Sequence, residues 1–140
     1  MKARVKWLED MTFVGESGSG HAIVMDAAQE VGGHDLGVRP MEMLLLGLGG
    51  CTAIDVLHIL RKARQSVEDC TVEISAERAD TDPKVFERVQ VHFVISGANL
   101  REEHVKRAIS LSAEKYCSVS IMLGKTAEMS HTYELHEIRP

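Results

Sequence analysis

Two of the three cysteines in this 140-residue chain lie in sequence settings that suit thiol chemistry. Cys51 lies in the segment Gly-Gly-Cys-Thr-Ala-Ile-Asp, and Cys117 lies in Ala-Glu-Lys-Tyr-Cys-Ser-Val-Ser. Both segments fall within or at the end of a helical pattern, where a thiol can be given a fixed direction and an altered acidity. A single free cysteine is more often a small buried hydrophobic residue. The two settings together predict a two-cysteine redox centre.

Length and composition indicate one globular domain that spans residues 1–140. A hydrophobic fraction of 44% is enough to bury a core without stabilising disulfide bonds. The three cysteines, an odd number, argue against a structural disulfide framework, so any disulfide should be transient. The net charge of −5 and the absence of a basic cluster beyond residues 61–64 give no support for nucleic-acid binding.

The first ten residues contain no apolar signal core, and no run of about 18 apolar residues occurs in the chain. We therefore expect a cytoplasmic protein that neither spans nor binds a membrane.

The N-terminal third of the chain predicts three strands followed by a loop. Residues 3–8 and 11–17 alternate as a hairpin, and residues 21–26 read as a third strand. Residues 27–39 carry three glycines and no periodicity, which is typical of a surface loop. Pro40 then suits the first turn of a helix.

The pattern from residue 41 to about residue 65 is helical, and its first half is apolar on nearly every side, which predicts a fully buried helix. Gly47, Gly49 and Gly50 each weaken a helix by roughly 1 kcal/mol relative to Ala. Their expected use is to let another backbone or helix come close.

The C-terminal half predicts a strand hairpin, a helix and a closing strand. Alternation begins at Cys70, whose side chain should point into the core, and resumes over residues 86–96. A helix then leads to Cys117, and residues 127–138 close the chain as a strand. The order βββαββαβ predicts an α+β fold in which helices cover one face of curved antiparallel sheet.

These motifs together resemble the OsmC/Ohr family of osmotically inducible and organic-hydroperoxide-resistance proteins. The resemblance rests on Pro40 with the Met-Glu-Met-Leu-Leu-Leu that follows it, on the segment around Cys51, and on Glu-Lys-Tyr-Cys-Ser-Val-Ser around Cys117. It covers essentially the whole chain. It implies an OsmC-like fold, long central helices, and an intertwined homodimer with active sites built from both subunits.

The resemblance also implies a chemistry. In that family the cysteine matched by Cys51 is peroxidatic, and the cysteine matched by Cys117 resolves its sulfenic acid to a disulfide. The implied substrates are organic, lipid-like hydroperoxides, and the implied reductant is an external dithiol such as a lipoylated protein. No bound cofactor and no metal is expected.

Two positions depart from the pattern of the well-studied peroxidases of the family. Those proteins place a glutamate directly after a proline that lies eleven residues before the peroxidatic cysteine, and pair it with an arginine from the N-terminal hairpin region. Here Pro40 is followed by Met41, and Glu42 stands one place later, about 100° around the helix. The chain has no arginine between Arg4 and Arg39, so Arg39 is the candidate substitute, although a surface-loop role suits it better.

Asp55 and His58 share a helix face with Cys51. A carboxylate one turn from a thiol disfavours the thiolate, and His58 lies about 10.5 Å along the axis from Cys51. The three side chains are candidates for the polar wall of an active site, and the alternative is that Asp55 belongs to a buried hydrogen-bond network. The other six histidines show no metal-binding spacing.

Two functions remain open from the sequence. One is a thiol-dependent hydroperoxide reductase that uses Cys51 and Cys117. The other is a binding or redox-sensing protein with a ligand pocket at the dimer interface, which keeps the cysteines but has lost the activating guanidinium.

Overall fold

The computed structural model describes residues 1–139. Within them the chain forms two compact units, one of residues 1–46 and one that begins at residue 47. A single helix, α1, begins in the first unit and ends in the second. The prediction of one domain over residues 1–140 stays a prediction.

The first unit contains an antiparallel three-stranded sheet in the order β1-β2-β3. The strands are Ala3–Glu9, Thr12–Ser17 and Ala22–Asp26. Asp10 adopts a positive φ of 50° in the turn between β1 and β2, a conformation that aspartate tolerates better than most residues. The predicted hairpin is therefore confirmed, and so is the third strand.

Asp26 anchors the loop that follows β3. Its carboxylate accepts hydrogen bonds from the backbone N–H groups of Ala27, His34 and Leu36, at 2.8, 3.1 and 3.2 Å. Burial alone raises the pKa of Asp26, but these donors together with the Thr12 hydroxyl outweigh it and leave the pKa below its ordinary value. These hydrogen bonds hold the segment after β3, which contains a 3₁₀ helix over Gln29–Val31.

Helix α1 runs over Pro40–Lys62 and begins at the proline, as predicted. The Glu42 carboxylate accepts a hydrogen bond of 2.7 Å from the backbone N–H of Arg39, which closes the first turn. The expectation that the helix is buried on every side is wrong for the single chain. The buried residues form one stripe at intervals of four residues, and they are Leu48, Thr52, Val56 and Leu60.

The opposite side of α1 is apolar and exposed. Leu46 and Ile54 are 57% and 70% exposed, and a Cβ placed on Gly47 or Gly50 would meet no atom within 4 Å. Gly49 differs, because its Cβ would lie 3.1 Å from the Ile74 side chain. Helix α1 is long and apolar enough to cross a membrane, but the core helix of a soluble protein can be equally long and apolar.

The second unit is built on a sheet in the order β4-β5-β6. The strands are Ser66–Arg78, Phe86–Ala98 and Glu128–Glu137. The predicted antiparallel hairpin of β4 and β5 is confirmed, with Cys70 opposite Ile95. The third strand corrects the expectation of a wholly antiparallel sheet, because β6 pairs with β5 in parallel. The helices between β5 and β6 return the chain to the starting end of β5, and parallel pairing requires such a crossover.

Alternation along β5 separates a buried face from an outer face. The fully buried side chains of the core are Val89, Val91, Phe93 and Ile95 from β5, Leu48, Val56 and Leu60 from α1, and Val105 and Ala108 from the following helix. That helix, α2, covers Glu102–Leu111, a π-helical turn follows over Ser112–Tyr116, and α3 covers Ser118–Leu123. The predicted α+β fold is confirmed, but two helices, α2 and α3, lie between β5 and β6 where the predicted order βββαββαβ has one.

Candidate functional site

Three side chains from two distant parts of the sequence meet in the second unit. The sulfurs of Cys51 and Cys117 and a carboxylate oxygen of Asp55 all lie within 4.8 Å of one another. Cys117 is fully buried, while Cys51 and Asp55 are half-buried. Both cysteines are free thiols. The two cysteines singled out from the sequence therefore face each other, with the carboxylate of Asp55 beside both.

Local geometry explains how each of these groups is held. Cys51 and Asp55 are one turn apart on α1, so their side chains project from the same face. Cys117 follows the π-helical turn, where its N–H donates to the Ser112 carbonyl at 2.8 Å. Its sulfur accepts a hydrogen bond from the N–H of Ser120 at 3.4 Å, which makes Cys117 the N-cap of α3.

A chain of hydroxyl groups positions the carboxylate of Asp55. The Ser112 hydroxyl donates to the Asp55 Oδ2 at 3.1 Å, and the Thr52 and Ser112 hydroxyl oxygens are 2.8 Å apart. A carboxylate can only accept, so the single hydroxyl proton of Ser112 goes to Asp55 and Thr52 donates to Ser112. Thr52 and Ser112 are 1% and 0% exposed, so no solvent competes for these bonds.

The environment of Cys117 favours the neutral thiol. Burial raises the pKa of Cys117 to about 11, and the Cys51 side chain and the Asp55 carboxylate act in the same direction. The N–H of Ser120 opposes them but is outweighed. Cys117 therefore remains a protonated thiol at neutral pH.

A cavity of about 650 Å³ lies next to this cluster. Asp55 belongs both to the thiol cluster and to the cavity wall, and His58 lies on the same wall. The remaining lining combines apolar and basic side chains, which are Ile59, Lys62, Ala63, His104, Arg107, Leu111 and Tyr116. The cavity is large enough for an organic molecule of moderate size.

The other predicted site residues have separate settings. Arg39 and Glu42 meet in the first unit, where both are exposed and the Glu42 carboxylate caps the helix. His58 is exposed at the cavity wall. Cys70 is half-buried on β4, and burial followed by the charge of Asp69 raises its pKa.

Several residues of this region are not apparent from the sequence. Ser112 belongs to the apolar face of α2 by periodicity, and Thr52 continues the buried stripe of α1, so each resembles a core residue. Their pairing joins positions 60 residues apart. Arg107 is a solvent-facing helix residue by pattern, yet it lines the cavity. Lys62, the last residue of α1, also lines the cavity.

Two histidines that are far apart in the sequence, His92 and His136, lie beside the same carboxylate in the structure. His92 on β5 and His136 on β6 each lie 3.2 Å from a carboxylate oxygen of Glu134. Hydrogen bonding to His92 lowers the pKa of Glu134, and His136 adds to this effect. The parallel pairing of β5 and β6 brings these residues onto one exposed surface.

The chain matches known proteins over nearly its whole length. A protein-family model described as OsmC-like protein matches residues 32–132. The chain belongs to the OsmC family. It is 49% identical to Protein YhfA of Escherichia coli K12 over 135 residues, which cover 96% of this chain and 98% of YhfA.

Solved structures of the family share the fold. A hypothetical protein from Aquifex aeolicus is 29% identical, with a TM-score of 0.87 over 99% of this chain and 97% of its own. An organic hydroperoxide resistance protein OsmC from Legionella pneumophila has a TM-score of 0.70, with 95% of each chain covered. At 16% identity the second comparison establishes a common fold and no more.

Proposed function

We propose that this protein reduces organic hydroperoxides through a disulfide cycle between Cys51 and Cys117. The supporting observation is the approach of the two free sulfurs to within 4.8 Å. A disulfide bond is about 2.05 Å long, so side-chain rotation has to supply the remaining distance. Family membership supports the proposal, since a relative with the same fold is named as an organic hydroperoxide resistance protein.

The difference in burial supports the proposed roles of the two cysteines. Cys51 is half-buried and so can be reached by a peroxide, whereas Cys117 is 0% exposed. The Cys51 thiolate attacks the distal peroxide oxygen, the O–O bond breaks, and the alcohol leaves with a proton from solvent. Cys51 is then a sulfenic acid.

Cys117 completes the cycle. Its sulfur displaces the sulfenic oxygen, the S–O bond breaks, and water leaves with the thiol proton of Cys117. An external dithiol, such as a lipoylated protein, reduces the Cys51–Cys117 disulfide and becomes a disulfide itself. No metal or bound cofactor enters these steps.

The cavity beside Asp55 is the proposed substrate pocket. Its apolar side chains suit the organic part of a lipid-like hydroperoxide better than they suit hydrogen peroxide. His58 is proposed as a supporting residue on its wall, and Asp55 as a residue that lines the pocket. Catalytic support by Arg39 and Glu42 stays a prediction, since the contact that each of them makes closes the first turn of α1.

We also propose that the protein is a cytoplasmic homodimer in which the exposed face of α1 is covered by a second copy. Large exposed apolar surface is unusual for a monomer, and glycines with open space above them allow helices to approach closely. Ile54→Asp should shift the mass measured by analytical ultracentrifugation from dimer to monomer. Val31→Asp, at the last residue of a 3₁₀ helix that lies outside α1 and is 62% exposed there, is the matched control and should leave the mass unchanged.

One observation favours a second function. Burial raises the pKa of Cys117, and the Asp55 carboxylate, which lies within 4.8 Å of both sulfurs, raises it further, so the thiol that would close the disulfide is kept neutral. A binding or redox-sensing protein would keep the cavity and the disulfide pair without fast turnover.

A peptide map separates the two functions. Reduced protein is treated with one equivalent of cumene hydroperoxide or of hydrogen peroxide, quenched within seconds and digested without reductant. The peroxidase proposal expects a Cys51–Cys117 disulfide that forms faster with cumene hydroperoxide, and steady consumption of peroxide with dihydrolipoamide. Cys51→Ser should abolish consumption, Cys117→Ser should leave a sulfenic acid that dimedone traps, and Cys70→Ser should change neither. Slow and unselective oxidation of all three cysteines would favour the second function.

A further inference from the structure

The three groups that meet around Cys117 are also a set of metal ligands. Two thiols and one carboxylate, all within 4.8 Å of one another, match the donor types that proteins use for Zn²⁺. In a tetrahedral zinc site, with Zn–S distances near 2.3 Å and Zn–O near 2.0 Å, neighbouring ligand atoms are about 3.5–3.8 Å apart. A closure of at most about 1.0–1.3 Å therefore brings the three atoms to coordination distance.

We propose that the reduced protein binds one Zn²⁺ ion per chain through the sulfurs of Cys51 and Cys117 and a carboxylate oxygen of Asp55. This gives three protein ligands and one open position. On binding, both thiols release their protons to solvent and the sulfurs become thiolate ligands, so no oxidation or reduction takes place. The inference concerns the resting thiols and does not depend on peroxide reduction.

Neighbouring groups orient two of the three ligands through hydrogen bonds. The Ser112 hydroxyl holds the Asp55 Oδ2 at 3.1 Å and is itself held by Thr52, so the carboxylate is oriented before a metal arrives. Outer hydrogen bonds of this kind fix the direction of a ligand and support metal affinity. The Cys117 sulfur is positioned by the Ser120 N–H.

The cavity gives the metal a path to the cluster. Asp55 lies on the cavity wall, so an ion can reach the carboxylate from solvent and then meet the two sulfurs. A bound ion would occupy the sulfurs in their reduced state and shield them from oxidation. Formation of the Cys51–Cys117 disulfide would remove two of the three ligands, so metal binding and the oxidised state exclude each other.

The test uses the reduced full-length chain and zinc sulfate in a competition titration against a chromophoric chelator. We expect one tight site per chain, a 10- to 100-fold or larger loss of affinity in Cys51→Ser, Cys117→Ser and Asp55→Asn, and about a 10-fold loss in Ser112→Ala. Cys70→Ser should retain the wild-type affinity. His92→Ala removes one member of the exposed His92, Glu134 and His136 group and should also leave the tight site intact.

Two readouts identify the ligands independently of affinity. Substitution with Co²⁺ should give the charge-transfer absorption of cobalt bound to thiolates, and this absorption should disappear in the disulfide form. Zinc should also slow alkylation of the half-buried Cys51 while leaving Cys70 unchanged within the same molecule. Equal zinc affinity of the wild-type protein and the Cys51→Ser variant, a cobalt spectrum without thiolate bands, or equal protection of Cys51 and Cys70 would overturn the proposal.

Discussion

The buried hydroxyl chain from Thr52 through Ser112 to Asp55 predicts a measurable coupling between two positions 60 residues apart. Neither hydroxyl is reached by solvent, since Thr52 is 1% exposed and Ser112 is 0% exposed. Removal of one hydroxyl therefore leaves its partner without a substitute from water.

Ser112→Ala should lower the free energy of unfolding by about 2–4 kcal/mol. The hydrogen bond to a charged acceptor contributes about 1.5–3 kcal/mol, and the unpaired Thr52 hydroxyl adds a desolvation cost of about 1–3 kcal/mol, partly offset by relaxation. Thr52→Val keeps the side-chain volume and leaves only a lone pair of Ser112 unused, so it should cost about 0.5–1.5 kcal/mol.

The double variant Thr52→Val with Ser112→Ala is the decisive measurement. When Thr52 has already lost its hydroxyl, removal of the Ser112 hydroxyl leaves no donor of residue 52 unpaired. The sum of the two single-variant losses in unfolding free energy should therefore exceed the loss in the double variant by about 1–2 kcal/mol. Urea unfolding with a slope of about 1–3 kcal/mol/M resolves this difference. Ser110→Ala, at an exposed position of α2, is the matched control. Costs that add to within about 0.3 kcal/mol would refute the hydroxyl chain.

Three further substitutions test the fold. Asp26→Asn should destabilise the first unit. Because folding lowers the pKa of Asp26, the stability that its carboxylate contributes is present above about pH 4 and is lost as the pH falls through the folded pKa. The unfolding free energies of the wild-type protein and the variant, measured against pH, should therefore converge at acid pH. Gly97→Ala places a Cβ 2.1 Å from the Ser66 carbonyl oxygen and should cost about 1–3 kcal/mol in urea unfolding. Phe93→Ala, at a fully buried residue of β5, should cost about 3–5 kcal/mol by the same measurement.

Local signals in the sequence were sufficient to predict most elements. The alternation of β5 marks its buried face residue by residue, because each side chain of a strand points to the side opposite its neighbours. Pro40 marks the start of α1, because its missing N–H costs nothing in a first turn. Such signals depend only on neighbouring residues, so a single sequence contains them.

Features that depend on distant parts of the chain were not predictable. The parallel direction of β6 is set by the crossover from β5, and the alternation of a strand is the same in either direction. The buried stripe of α1 was overestimated, because an exposed apolar residue of a helix and one that faces the core look alike in sequence. For the same reason Ser112 looked like a core residue rather than a partner of Asp55.

Asp55 connects the two proposals and also distinguishes between them. Burial and the charge of Asp55 both raise the pKa of Cys117, so this charge gives no help to thiol chemistry, but the same charge favours a bound cation. Asp55→Asn keeps one oxygen that can accept the Ser112 hydroxyl, removes the charge and replaces the other carboxylate oxygen with an NH2 group. Zinc affinity should therefore fall about 10- to 100-fold while the reaction of Cys51 with cumene hydroperoxide keeps its rate. General damage to the site would lower both quantities together, so a parallel loss would contradict the assignment of Asp55 as a charged member of this cluster.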